Sequence, residues 1–380
     1  MRRGIRSISG NGVVTPPPTN TVPPSITQPV PGVFEIGDTL TGNTGTWLNA
    51  TSFEYRWNLR GTLITGATAS TYQLLGVDLG GVGPALTSEL FGDALFSSGQ
   101  GPTVGLEVRA TGPGGTSAWV AASNEVRFDW AQYASQITQL LDERGITASG
   151  GFVDAWANQG SVVTSFTQTL TVRPATGRTI NGFTAPDFDG VNDRLDSTAT
   201  CRSFLCPGTT LDNTRYLYLW RVADVDAFNT AADGVRPSQL PDVNSGNCAF
   251  TTQKDAAGTL TAWTAMNANV APTGYRASSQ TGTTGVHFQE TRLGGGAIVG
   301  RWDGADGSSA TFNGHTTAPG AGNTTRVGAN YSAAPGQFFN GAIGTEIAWA
   351  ATVAITSKQL NTIRAVLAGK YNVTTGYTYP

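Results

Sequence analysis

The densest group of side chains able to do chemistry is acidic. Asp187, Asp189, Asn192, Asp193 and Asp196 place oxygen ligands in one short stretch, and calcium takes 6 to 8 such ligands. Asp187, Asp189, Asn192 and Asp193 are therefore candidate calcium ligands. The stretch is not an EF-hand loop, because Gly190 falls fourth from Asp187 and Thr198 stands where a bidentate Glu belongs. The same residues suit a tight turn in which Asp189, Asn192 and Asp193 bond nearby backbone groups. Other chemistries find less support. The two histidines, His287 and His315, are far apart, and no Gly-x-Ser-x-Gly elbow occurs, so a Ser-His-Asp constellation is not expected. Gly294-Gly295-Gly296 lacks the Gly-Lys-Ser/Thr ending of a phosphate loop and reads as a hairpin turn, as does Trp302-Asp303-Gly304. Cys201, Cys206 and Cys248 lack zinc-site spacing and fit either buried thiols or one disulfide.

Composition narrows the classes further. The 380 residues include 49 Gly and 19 Pro, and only 13% are charged, about half the ~25% of ordinary soluble domains. A net charge of −3 gives no whole-chain attraction to phosphates, so no nucleic-acid partner is expected. No stretch approaches the ~20 apolar residues that cross a bilayer, so no membrane insertion is expected. The first residues, Met1-Arg2-Arg3-Gly4-Ile5-Arg6, lead into no apolar core of a secretory signal.

The elements that must position any site are mostly short strands. Residues 1–30 carry Arg2, Arg3 and Arg6, then Thr15-Pro16-Pro17-Pro18 and Pro23-Pro24, which reads as an extended arm, either passive or ordered on a partner. From 31 to 128, short strands alternate with Gly, Pro and Thr turns, and Phe53, Tyr55 and Trp57 share one face at period two. A Gly-rich insertion at 81–103 contains Phe91, Leu95 and Phe96, and is either an edge lid or a contact surface. Residues 129–145 read as one linking helix. Trp130, Tyr133, Ile137, Leu140 and Leu141 form its stripe, Asp129 and Gln132 its start, and Gly145 its stop. Residues 146–380 return to strands and close with a second helix, capped by Thr356 and Gln359 and apolar at Leu360, Ile363, Val366 and Leu367.

Two resemblances follow from these residues. Gly37-Asp38-Thr39-Leu40, Gly45-Thr46-Trp47, Tyr55-Arg56-Trp57, Gly66-Ala67-Thr68 and Val108-Arg109-Ala110-Thr111-Gly112 resemble the bacterial and phage immunoglobulin-like repeat. This implies a β-sandwich anchored by Trp57. Ala155-Trp156-Ala157-Asn158-Gln159-Gly160, Phe188-Asp189-Gly190-Val191-Asn192-Asp193 and Phe339-Asn340-Gly341 resemble the concanavalin-like, or laminin-G-like, jelly roll. The implied fold class is all-β, with a linking helix and a C-terminal helix. That fold hosts glycosidases and lectins. Retaining hydrolysis needs two carboxyls about 5 to 5.5 Å apart. Glu346 has no partner two or four residues away, and the Glu-x-Asp-x-Glu string is absent, so no catalytic residue is expected and Glu346 is read as a strand-bridging carboxylate. The sugar-binding reading offers Trp263, Tyr275, Trp302 and Tyr331 as candidate glycan contacts, each of which also fits a core position.

The combination resembles modular structural proteins of tailed bacteriophages. It implies a non-enzymatic virion component, such as a capsid decoration, head fibre or tail-associated fibre. The component would be made in the host cytoplasm without a leader and displayed on the virion surface. Arg2, Arg3 and Arg6 would anchor the arm to other capsid or tail proteins, and the β-domains would touch host-surface glycans. A homo-oligomer is expected, and a trimer is one form, although no heptad dictates three chains. No cofactor other than calcium is implied. The alternatives are a secreted carbohydrate-binding or glycoside-hydrolase-like protein and a bacterial surface adhesin.

Overall fold

In the computed structural model, the described residues are 15–76, 100–169, 171–200, 204, 216–227, 235–241, 247–254, 260–266, 275–276, 284–294, 297–311, 324–329 and 338–377. The architecture is all-β with one α-helix among the described residues. The chain divides into two compact units, Met1–Leu74 with Pro102–Phe128, and Leu75–Gly101 with Asp129–Pro380.

In the first unit, Ser25–Thr27, Thr39–Asn43 and Thr71–Gln73 form one sheet, and Ser52–Leu59 pairs with Gln100–Gly112 in another. The period-two run behaves as its spacing predicts. Phe53, Tyr55 and Trp57 lie opposite Ala110, Val108 and Leu106, so all six share the face that carries Trp57 into the core. Trp57 stacks on Tyr72 of the other sheet with ring centres 5.7 Å apart, and its indole N–H donates to the Ala69 carbonyl at 2.9 Å. The intervening residues point the other way and pair across the strands, Glu54 with Arg109 and Arg56 with Glu107. Both guanidinium groups lie over the Trp119 ring, at 4.4 and 4.7 Å from its centre.

The second unit is a continuous series of paired strands from Ile137–Leu141 to Asn340–Ala351 that closes on itself. Its middle is Tyr216–Val225, antiparallel to Gly285–Gly294 on one side and to Asn340–Ala351 on the other. One face of this sheet turns Leu217, Leu219 and Ala348 into the main core with Trp156, Phe166 and Phe188. The opposite face is covered by the Ser357–Tyr371 helix, whose Arg364 reaches Glu290 and whose Tyr371 bonds Thr345. This covering explains why 217–223 is an unbroken buried run instead of an alternating one. The helix opens with the expected capping box of Thr356 and Gln359. It continues through Gly369 and stops at Asn372, in the left-handed region at φ 53°. The turn at Trp302-Asp303-Gly304 is present, with positive φ at Asp303 and Gly304, and joins paired strands.

The 129–145 segment corrects the expected linking helix. Trp130–Tyr133 is a single 3-10 turn capped by Asp129, Ile137–Leu141 is a strand, and Glu143–Gly145 is a second 3-10 turn capped by Asp142. All five residues of the strand are buried, Thr138 and Gln139 included. A strand buried on both faces shows no period of two, and its apolar positions then coincide with a helical stripe. Thr138 and Gln139 are accommodated because their side chains donate to the Phe204 carbonyl at 2.6 Å and to Glu346 at 2.7 Å.

Candidate functional site

The segment that failed as a helix builds a cleft. Its volume is about 340 Å³, at the small end of the ~300–1,000 Å³ typical of ligand pockets. Trp130, Ala131 and Ala134 from the first 3-10 turn and Ile137 and Leu140 from the strand give it an apolar surface. Asp129, Arg144, Gln159 and Ser161 supply polar groups.

The wall opposite the turn is the 158–161 loop, and Asn158 fixes it. Its Oδ1 accepts from the backbone N–H of Leu140 at 2.7 Å and of Gly160 at 3.1 Å, and its Nδ2 donates to the carbonyls of Thr138 and Val162. The backbone N–H groups of Gln159 and Ser161 donate to Leu140 and Ile137 at 2.8 and 2.9 Å. Gly160 is required here for closeness: a Cβ would lie 2.7 Å from the Thr138 carbonyl carbon and oxygen. Gln159 and Ser161 remain exposed. The wall is thus fixed before any ligand arrives, which lowers the ordering cost of binding.

The charged groups are arranged unevenly. Arg144 donates through Nε and Nη2 to Asp142, with the Nη2 to Oδ2 distance 2.5 Å. Burial disfavours the guanidinium charge, but the bonds to Asp142 and the nearby carboxylates of Glu143 and Asp129 outweigh it, so its pKa is raised. Asp129 Oδ1 caps the turn by accepting from Ala131 N at 2.8 Å. Among the described residues no hydrogen bond uses Asp129 Oδ2 or Arg144 Nη1. Glu143 is paired with Lys370 at 2.5 Å, which ties the second 3-10 turn to the helix.

The residues singled out by sequence lie elsewhere. Asp189 Oδ1 accepts from the backbone N–H groups of Val191, Asn192 and Asp193, at 2.8, 3.1 and 3.3 Å, and Asp193 Oδ2 accepts from Asp189 N at 3.0 Å. This is the tight-turn arrangement. Asp187 points to Arg178, which also holds Asp224 and Asp226. Asp187, Asp189, Asn192 and Asp193 therefore do not converge as calcium ligands, and no group of three or more acidic, His or Cys side chains suited to a metal occurs among the described residues. Burial pushes the Asp193 carboxyl up to about 6, with the Asp189 N–H bond offsetting part of the rise.

Trp302 corrects its assignment as a glycan contact. It is buried in the main core, with its ring 4.5 Å from that of His287. Trp263 and Tyr275 lie in strands, but their side chains are outside the described residues, as are Tyr331, Arg2, Arg3 and Arg6. Phe91, Leu95 and Phe96 are outside them too. Glu346 bridges strands through Gln139 as expected. Strand alternation places Glu346 and Glu290 on opposite faces of one sheet, so they cannot act on one bond together. Sequence reading missed the cleft because its residues were assigned to a helix and to a family motif. The usable signal was Trp130 beside Asp129, followed at a loop's distance by Asn158-Gln159-Gly160-Ser161.

No protein-family profile and no curated protein matches the chain. Solved structures are similar to it at low identity. Domain 4 of AbnA, a GH43 extracellular arabinanase from Geobacillus stearothermophilus solved with arabinotriose, is 14% identical, with a TM-score of 0.38, over 61% of this chain and 98% of that one. Trypanosoma rangeli sialidase in complex with sialic acid is 11% identical, with a TM-score of 0.41, over 91% of this chain and 53% of that one. The enzymatically active domain of tailspike protein 2 of bacteriophage CBA120 is 11% identical, with a TM-score of 0.35, over 53% of this chain and 30% of that one. This chain thus spans about half of the sialidase and less than a third of the tailspike chain. These matches correct one expectation. Glycoside hydrolases are among the structures this chain is similar to, so the missing Glu-x-Asp-x-Glu string does not establish that the chain is not an enzyme.

Proposed function

We propose that this chain is a surface component of a tailed-phage particle that binds glycans through the cleft at Asp129–Ser161. One observation carries the reading. A preformed cleft sets the exposed Ala131 and Ala134, backed by the buried Trp130, Ile137 and Leu140, beside a carboxylate, a guanidinium, an amide and a hydroxyl, and sugars present C–H groups edged by hydroxyls to that kind of surface. The phage assignment rests on the sequence resemblances, with an immunoglobulin-like module at 31–128 and a jelly roll at 146–380; the arm expected over residues 1–30 is shortened to the residues before Thr15, because Thr19–Val22 pairs with Thr46–Leu48 and Ser25–Thr27 with Thr39–Asn43.

A glycan array probed with the full chain tests the binding. Retention of a defined set of glycans is expected, and it should be lost in Ser161→Trp, which fills the mouth of the cleft from an exposed position. No retention, or equal retention by the variant, contradicts the reading. Release of reducing sugar from a retained glycan would assign the cleft to hydrolysis instead. Attachment is tested separately. Deleting residues 1–14, which stops short of the Thr19–Val22 and Ser25–Thr27 strands, should leave both units folded and abolish incorporation into particles, and normal occupancy of the truncated chain would contradict the arm's role.

A further inference from the structure

We infer that the ligand of this cleft is an uncharged sugar, held between Asp129 Oδ2 as acceptor and Arg144 Nη1 as donor. The inference rests on the glycan-binding reading and specifies its chemistry. Among the described residues Arg144 is the one cation lining the cleft, and its charge is already met by Asp142 through a two-pronged contact. The adjacent Glu143 is matched by Lys370. Among the described residues the cleft is lined by one carboxylate and one guanidinium; Arg144 is held directly by Asp142 and feels Asp129 only through space, so Asp129 has no direct ion pair there. A sialic or uronic acid would bring a second carboxylate against Asp129 with no uncompensated cation to receive it, and like charges at close range oppose binding.

A neutral sugar meets no such opposition. One hydroxyl can donate to Asp129 Oδ2, and another oxygen can accept from Arg144 Nη1. Hydrogen bonds to charged groups are stronger than those between neutral ones, and the ordered 158–161 wall leaves Gln159 and Ser161 to meet the ring's remaining hydroxyls. The exposed apolar lining, Ala131 and Ala134, suits the C–H groups of the ring.

The test uses the full chain and matched disaccharides that differ only in whether the terminal residue is glucose or glucuronate, galactose or galacturonate, mannose or mannuronate. The wild type should bind a neutral member at least tenfold more tightly than its acidic counterpart. Asp129→Asn keeps an oxygen to cap the turn, and should weaken the neutral ligand while narrowing that ratio. Asp129→Ser, which also caps, serves if the first variant does not fold. Acidic members bound as tightly as neutral ones, or a ratio unchanged in both variants, would overturn the inference while leaving glycan binding intact. Binding of no sugar of either kind would overturn the glycan reading itself.

Discussion

Glu290 and Asp129 are both carboxylates beside arginines in the second unit, yet their surroundings differ in one respect. Glu290 is fully buried under the helix and accepts from Trp220 Nε1, from Arg301 and twice from Arg364. Burial alone would raise its pKa, but Arg364 and Arg301 hold it below the usual carboxylate range. Asp129 uses one oxygen as a cap and presents the other to a cleft. A saturated carboxylate fastens the fold, and a half-used one at an opening is available to a ligand. Counting acidic residues along the chain cannot make this distinction, because it depends on which donors the fold brings to each oxygen.

The largest expected effect lies on the saturated side. Glu290→Gln leaves Arg301 and Arg364 facing each other without their counter-charge, and breaking a buried pair costs about 3–5 kcal/mol. Chemical denaturation should show that loss, whereas a change below about 1 kcal/mol would show that Glu290 is not the fastening point. Gly160→Ala should follow, at roughly 1–3 kcal/mol for overpacking. The added methyl meets the Thr138 backbone, and stability and glycan retention should fall together. Retention unaffected by this substitution would separate the loop from the cleft.

The acidic turn gives a smaller effect with a definite sign. Asp193 has a folded pKa of about 6 against an ordinary 3.8, so the folded chain holds more protons than the unfolded one between those values. Stability from this group is present below about pH 4 and is lost as pH rises through 6, by about 1–2 kcal/mol. Asp193→Asn should flatten that slope in melts from pH 4 to 7, and an unchanged slope would place its origin elsewhere. The smallest effect is expected at Asp129. Asn is as good a cap as Asp, so Asp129→Asn should change stability by less than about 0.5 kcal/mol. A larger loss would make Asp129 a structural residue like Glu290 and erase the contrast.

Much of the fold was legible in the residues. The all-β class, the shared face of Phe53, Tyr55 and Trp57, the turn at Asp303-Gly304 and the Thr356–Gln359 box follow from spacing and turn chemistry that act locally. The 129–145 segment did not, because burial from both sides removed the alternation that marks a strand. Trp302 fitted either a sugar platform or a core position, since indole chemistry is common to both. What decides is the layer above it, and that layer is set by long-range pairing. Asp129 and Ser161 share a cleft only because Asn158 ties its loop to the Ile137–Leu141 strand, a contact no spacing rule specifies.

The most direct test of the account is equilibrium titration of one array-retained glycan into the wild type and Ser161→Trp, with melting temperatures measured alongside. The account predicts at least a tenfold loss of affinity, about 1.4 kcal/mol, at an unchanged melting temperature. Equal affinity in the two proteins would contradict it.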